Sequence, residues 1–308
     1  MSTSAWPSIP PDQLVKEEEA TLARELQWLL NSLQESLASL KNGLEECIAL
    51  LAPKEPGSTL VVSSSRSESV KGFVTRVGTK IVKGDIQIRL ATLPAPRNAP
   101  SYPLRLSTAL TAPDMMLIQL TSVRNLINQS LDVVDISTWT GDAHDANFIA
   151  GQLHLLFDFV QEARQMLKGG EEVESKWWED PMDENIFDPP LPPNLSFHVS
   201  ISEASLLLYF RTLQSLAPDT PTSFISDPIT GLSLRQRLGL APRLQEHDET
   251  GQVFMYKGKE VRVREKVRVE SQDPSLMAVM AKLSAVEHGV GVARRCLSVV
   301  MDADEGEE

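Results

Sequence analysis

Residues able to do chemistry are sparse in this 308-residue chain, and their spacing brings few of them together. The five histidines, His144, His154, His198, His247 and His288, fall on different expected elements. Zinc needs three or four side chains converging on one point, and the nearest approach to such a set is Asp142, His144 and Asp145. Nothing else is poised to complete that set, so the three read as a helix N-cap and its turn. Cys47 and Cys296 have no CxxC neighbour and fall on apolar positions of expected helices. They read as free core thiols rather than a redox pair. Gly289-Val290-Gly291 sits inside a helical pattern, without the preceding strand or third glycine of a dinucleotide loop. Gly258-Lys259-Glu260 lacks the upstream glycine and the following hydroxyl of a phosphate loop, and reads as a hairpin turn. Serine-hydrolase, zinc-protease and kinase signatures are missing. The expectation is a chain with no catalytic residue, no cofactor and no metal.

Two features suit contacts with other proteins instead. Residues 257–270 hold six basic and three acidic side chains, with Arg262 and Arg264 interleaved among valines. Such a strip can meet an acidic partner or a membrane surface, or simply form a solvated, aggregation-blocking strand edge. Trp177 and Trp178 adjoin one another in an acidic segment, where they can dock into a partner or fold back over the chain's own core.

The elements that position these residues are legible in the hydrophobic spacing. Leu22, Leu26, Leu29, Leu33, Leu37, Leu40, Leu44, Cys47 and Leu51 recur at steps of three and four with one slip. That is a heptad-like seam on a rod of about 60 Å. Further stripes run from Leu117 to Val134, from Ile149 to Leu167 and, behind Asp273-Pro274, from Leu276 to Val300. Between them, residues 70–77 and 81–90 read as strands around Gly78-Thr79. Residues 195–201 alternate and lead into 206–212, and 253–256 with 261–269 read as a hairpin. The fold class expected is α+β: an elongated antiparallel four-helix bundle plus an antiparallel β-sheet domain, both discontinuous in sequence. The bundle would take residues 12–56, 113–168 and 273–301; the β domain would take 57–112 and 195–272. Residues 169–194 read as an acidic Pro/Trp linker, 217–251 as an irregular loop and 302–308 as an acidic tail, all exposed.

Net charge is −13, yet residues 171–188 carry a net −7 and the tail five acids, so the remainder is almost neutral. A general affinity for nucleic acid is not expected. No apolar run approaches the roughly 20 residues that span a bilayer, and the first residues lack a signal-peptide pattern. The chain reads as cytoplasmic.

A family resemblance joins these readings. Glu17-Glu18-Glu19 leading to Leu26-Gln27-Trp28-Leu29-Leu30, and Val70-Lys71-Gly72 entering a strand, resemble the Rogdi/RAVE subunit 2 family. So do Pro193 to Ser202 followed by Leu206 to Leu216, and the order of elements from about residue 15 to residue 300. The resemblance implies a non-enzymatic subunit working with a large WD-repeat subunit and a Skp-type adaptor. It implies a role in reassembling the peripheral catalytic sector of the proton-pumping V-ATPase onto its membrane sector. It further implies recruitment to vacuolar or endosomal membrane through partners. Because three other helices can cover the leucine seam, that seam reads as intramolecular core and the protein as monomeric by itself. The alternative is a coiled-coil trafficking tether that dimerises through the Leu26 to Leu51 seam.

Overall fold

The computed structural model describes residues 10–64, 68–96, 99–138, 144–170, 176–216 and 246–301. The chain forms two compact units, each assembled from separated stretches. One contains Met1–Leu50, Ser122–Gln165 and Ala278–Glu308; the other contains Leu51–Thr121 and Met166–Met277.

Among the described residues, four helices supply the first unit: α1 (Pro11–Leu50), α2 (Ile118–Ser137), α3 (Ala146–Lys168) and α4 (Pro274–Val300). Asp145 starts α3 as its cap, its Oδ1 accepting from the amides of Asn147 and Phe148. The α1 seam is buried at Leu33, Leu37, Leu40, Leu44 and Cys47, and α4 buries Val279, Leu283, Val286, Val290 and Leu297. Two glycines let α1 and α4 approach locally. A Cβ on Gly43 would stand 3.0 Å from Val286 Cγ2, and one on Gly289 would stand 3.0 Å from Leu40 Cδ2. Ion pairs Lys41–Asp135, Arg164–Glu287 and Lys282–Glu46 join neighbouring helices.

The expected elongated four-helix bundle is not what these helices form. Their lengths are 40, 20, 23 and 27 residues, so α1 has no partner to match it. From residue 11 to residue 29 nothing on α1 is buried. Sustained backbone approaches within 8 Å join strand to strand, and no two helices make one among the described residues. The helices meet at local contacts instead of zipping along a common seam. The sequence reading of apolar runs also needs amending, because α4 is long and apolar enough to cross a membrane by length and composition. One stripe of it is nevertheless buried inside the protein.

Among the described residues, the second unit holds two antiparallel sheets. In the first, β1 (Ser58–Ser63), β2 (Val70–Val77), β3 (Lys80–Ile88) and β4 (Tyr102–Arg105) lie in that order, with β5 (Met115–Met116) also on β3. In the second, β6 (Leu195–Ser202), β7 (Ser205–Ser215), β9 (Lys259–Gln272) and β8 (Val253–Tyr256) lie side by side in that order. Gly78 takes the left-handed conformation that turns β2 into β3. Glu203 and Ala204 both adopt positive φ between β6 and β7, as a two-residue hairpin turn requires. Their amides donate to the carbonyls of Lys168 and Leu167 and so satisfy the end of α3. The Gln119 side chain pairs with the backbone of β6, donating to the Ile201 carbonyl at 3.0 Å and accepting its amide at 2.7 Å.

The acidic segment is less exposed than expected. Trp177, Ile186, Phe187 and Leu191 are buried, and a short 3-10 turn spans Glu184–Ile186. Sparse apolar anchors pull a polar segment down onto the sheets. Residues 139–143, 171–175, 217–245 and 302–308, which include parts of the expected linker, loop and tail, lie outside the described residues.

Candidate interaction surface

β9 places the basic candidates. Val261, Val263 and Val269 are buried along it while Arg262, Arg264 and Arg268 are exposed, the alternation of a strand covering a core with one face. Arg262 lies opposite Gln214 on β7 and Val253 on β8. Thr212 pairs with Glu265 and Leu213 with Val263, so Arg264 is the extra residue of a bulge. Arg268 reaches Glu270 at 3.7 Å, whereas Arg262 and Arg264 have no ion-pair partner among the described residues. On β8, Val253 and Met255 are exposed, while Phe254 and Tyr256 point inward. The outward face therefore combines unpaired guanidinium groups with exposed apolar side chains, a composition that suits contact with another protein.

On the inward side stands Trp177, only 3% exposed, in a cluster with Leu213, Phe254, Tyr256, Val261 and Val263. Trp178 packs edge-on against it at 5.8 Å and is half-buried. The guanidinium of Arg211 lies 4.9 Å from the ring centres of both Trp177 and Tyr209. Arg211 donates from Nε (2.8 Å) and Nη2 (2.9 Å) to Glu249, and Lys266 reaches Glu249 and Asp248, each at 2.8 Å. Burial pushes the Glu249 carboxyl up, but hydrogen bonds from Arg211 and Lys266 outweigh it and hold it below its usual range. Every oxygen of the Glu249 and Asp248 carboxylates accepts from a cation, so the network ties β7 and β9 to the turn ahead of β8.

His198 faces Tyr209 in the same sheet. Burial, and then the charge of Arg211, push its imidazole down to about 4. A histidine kept neutral in the fold but protonated near 6.5 when unfolded stabilises the fold above that pH. That contribution is lost as pH falls from about 6.5 toward about 4, by roughly 3 kcal/mol in all. Denaturant midpoints measured across that window should fall, and His198→Phe should flatten the slope.

The cysteines part company. Cys47 is buried, and desolvation pushes its thiol up to about 11; Cys296 is exposed, contrary to the expectation of a core position. Ellman's reagent should therefore titrate one thiol in the native protein, lost in Cys296→Ser, and a second only after unfolding. No group of three or more His, Cys, Asp or Glu is arranged to hold a metal ion among the described residues.

Sequence reasoning missed two buried ion pairs, Arg76–Asp273 and Arg211–Glu249. The signal was present: an arginine inside an apolar strand run demands a carboxylate from elsewhere.

Among the described residues, two antiparallel sheets and a helical unit define a protein of the α+β class. Residues 25–298 match the family described as Rogdi leucine zipper containing protein, and the chain belongs to that family. It is also similar to "Regulator of V-ATPase in vacuolar membrane protein 2" of Schizosaccharomyces pombe, at 23% identity over 305 residues. That alignment covers 89% of this chain and 92% of the yeast protein.

Proposed function

We propose that this protein is a non-catalytic regulator of the vacuolar proton-pumping ATPase, promoting return of the peripheral catalytic sector to the membrane sector. The observation that carries this reading is similarity to a V-ATPase regulator along nearly the whole of both chains. In this reading it works in the cytoplasm as a single copy and reaches the vacuolar membrane through partners. Those partners are a large WD-repeat subunit, a Skp-type adaptor and subunits of the peripheral sector. The outward face with Arg262 and Arg264, and Trp178 braced by Trp177, are the contacts assigned to them.

The test is complementation. In a fungal strain lacking its own relative, dissociated peripheral sectors should stay soluble, and expressing this chain should return them to vacuolar membranes and restore acidification. Unchanged assembly with and without the chain would overturn the reading. The double variant Arg262→Glu, Arg264→Glu should lower co-purification of partners about tenfold, with an unchanged circular dichroism spectrum because both side chains are exposed.

A further inference from the structure

We propose that the apolar groove between the first half of α1 and the end of α4 binds an amphipathic helix with basic flanks, supplied by a partner protein. The groove encloses about 560 Å³, with Trp28, Leu29, Cys296 and Val299 in its lining and Glu25 and Arg295 at its rim. Trp28 is 71% and Val299 78% exposed, so both walls of the groove present a large apolar side chain to water.

The spacing says what fits. Leu22, Leu26 and Leu29 continue the same three- and four-residue steps as Leu33, Leu37 and Leu40, but Leu22 is exposed and the other two are only half-buried. The stripe that is core farther along is open here. A seam of that period is filled by side chains of another helix, since a strand or loop presents its own at the wrong intervals.

Charge selects among helices. The groove's own Glu25 and Arg295 cancel, and beyond them the open stretch of α1 carries Asp12, Glu17, Glu18 and Glu19 against Lys16 and Arg24, a net of −2. A partner with lysine or arginine beside its apolar stripe is attracted, whereas a second copy of this segment brings the same acids and is repelled. The groove is a property of the helical unit alone, so it stands or falls separately from the pump reading.

The experiment uses the full chain and a synthetic peptide of about 21 residues, with leucine at the heptad core positions and lysine flanking them. Controls exchange the lysines for glutamates, or scramble the leucines. By fluorescence anisotropy the basic peptide should bind about tenfold more tightly than either control. It should also slow alkylation of Cys296 by iodoacetamide. Trp28→Ala and Leu22→Lys should each weaken binding about tenfold while leaving helicity unchanged, since neither side chain is buried. Equal binding of the three peptides, indifference to both substitutions, or an unslowed Cys296 would overturn the proposal. So would a dimer by light scattering that Trp28→Ala dissolves, because the occupant would then be a second copy.

Discussion

Asp273→Ala is expected to lower unfolding free energy by about 4 kcal/mol, the largest loss from a single substitution foreseen for this protein. Asp273 is completely buried, and its Oδ2 accepts from Arg76 Nε at 2.6 Å. Its Oδ1 accepts from the Ser275 amide at 2.9 Å and so caps α4 ahead of Pro274. Losing a cap alone costs about 1 kcal/mol. The larger share comes from Arg76, itself 2% exposed, which keeps its bond to the Gly78 carbonyl but loses its countercharge. An unpaired buried guanidinium cannot be rehydrated without opening the structure. Asp273→Asn separates the effects, because the amide oxygen still caps α4 while the charge is gone. Urea midpoints should place Asp273→Asn nearer to Asp273→Ala than to the parent. If Arg76→Met recovers much of the loss in the Asp273→Asn background, desolvation of the arginine is the cause. Equal midpoints for Asp273→Ala and the parent would refute the account.

Glu249→Ala follows, with an expected loss of about 3 kcal/mol. One carboxylate serves two cations there, Arg211 and Lys266, and both are largely shielded from water. Its removal leaves two positive charges near one another against the rings of Trp177 and Tyr209. Asp248 can still hold Lys266, which is why the loss is put below that at Asp273. The pH dependence carries a separate mark. Because Glu249 is held below its unfolded value, its contribution is present above about 4.5 and vanishes as pH falls through the lower folded value. His198 loses its contribution at higher pH, so Glu249→Gln should flatten only the more acidic part of the stability curve.

Much of this fold was legible in the sequence, and the limits have identifiable causes. Alternation marked the strand at Ile86 and Ile88, because a strand with one buried face must alternate; from Leu195 to Ile201 the sequence alternates too, yet Ser196, His198 and Ser200 are buried along with apolar residues. It could not tell one sheet from two, since alternation reports which face is covered and not which strand lies alongside. Seam spacing marked the helices. It did not reveal that Leu22 faces water while Leu33, with the same spacing, is buried, so a bundle was expected where helices meet only locally. Cys296 precedes the buried Leu297, and one residue turns about 100° around a helix, enough to move a thiol from core to surface. The exposure of Arg262 and Arg264 was legible from strand parity. Trp177 and Trp178 were legible only as a choice between docking and self-packing, and their contacts with Phe254 lie beyond any local pattern.

The separation of partners along the chain has a consequence for biosynthesis. Arg76 waits 197 positions for Asp273, and β7 cannot gain its second neighbour until β9 has left the ribosome. A nascent polypeptide halted before β9 would hold Arg76 without its carboxylate and β7 with an open hydrogen-bonding edge. Such an intermediate is a substrate for chaperones and proteases, and premature stop codons upstream of β9 should yield degradation rather than a working fragment.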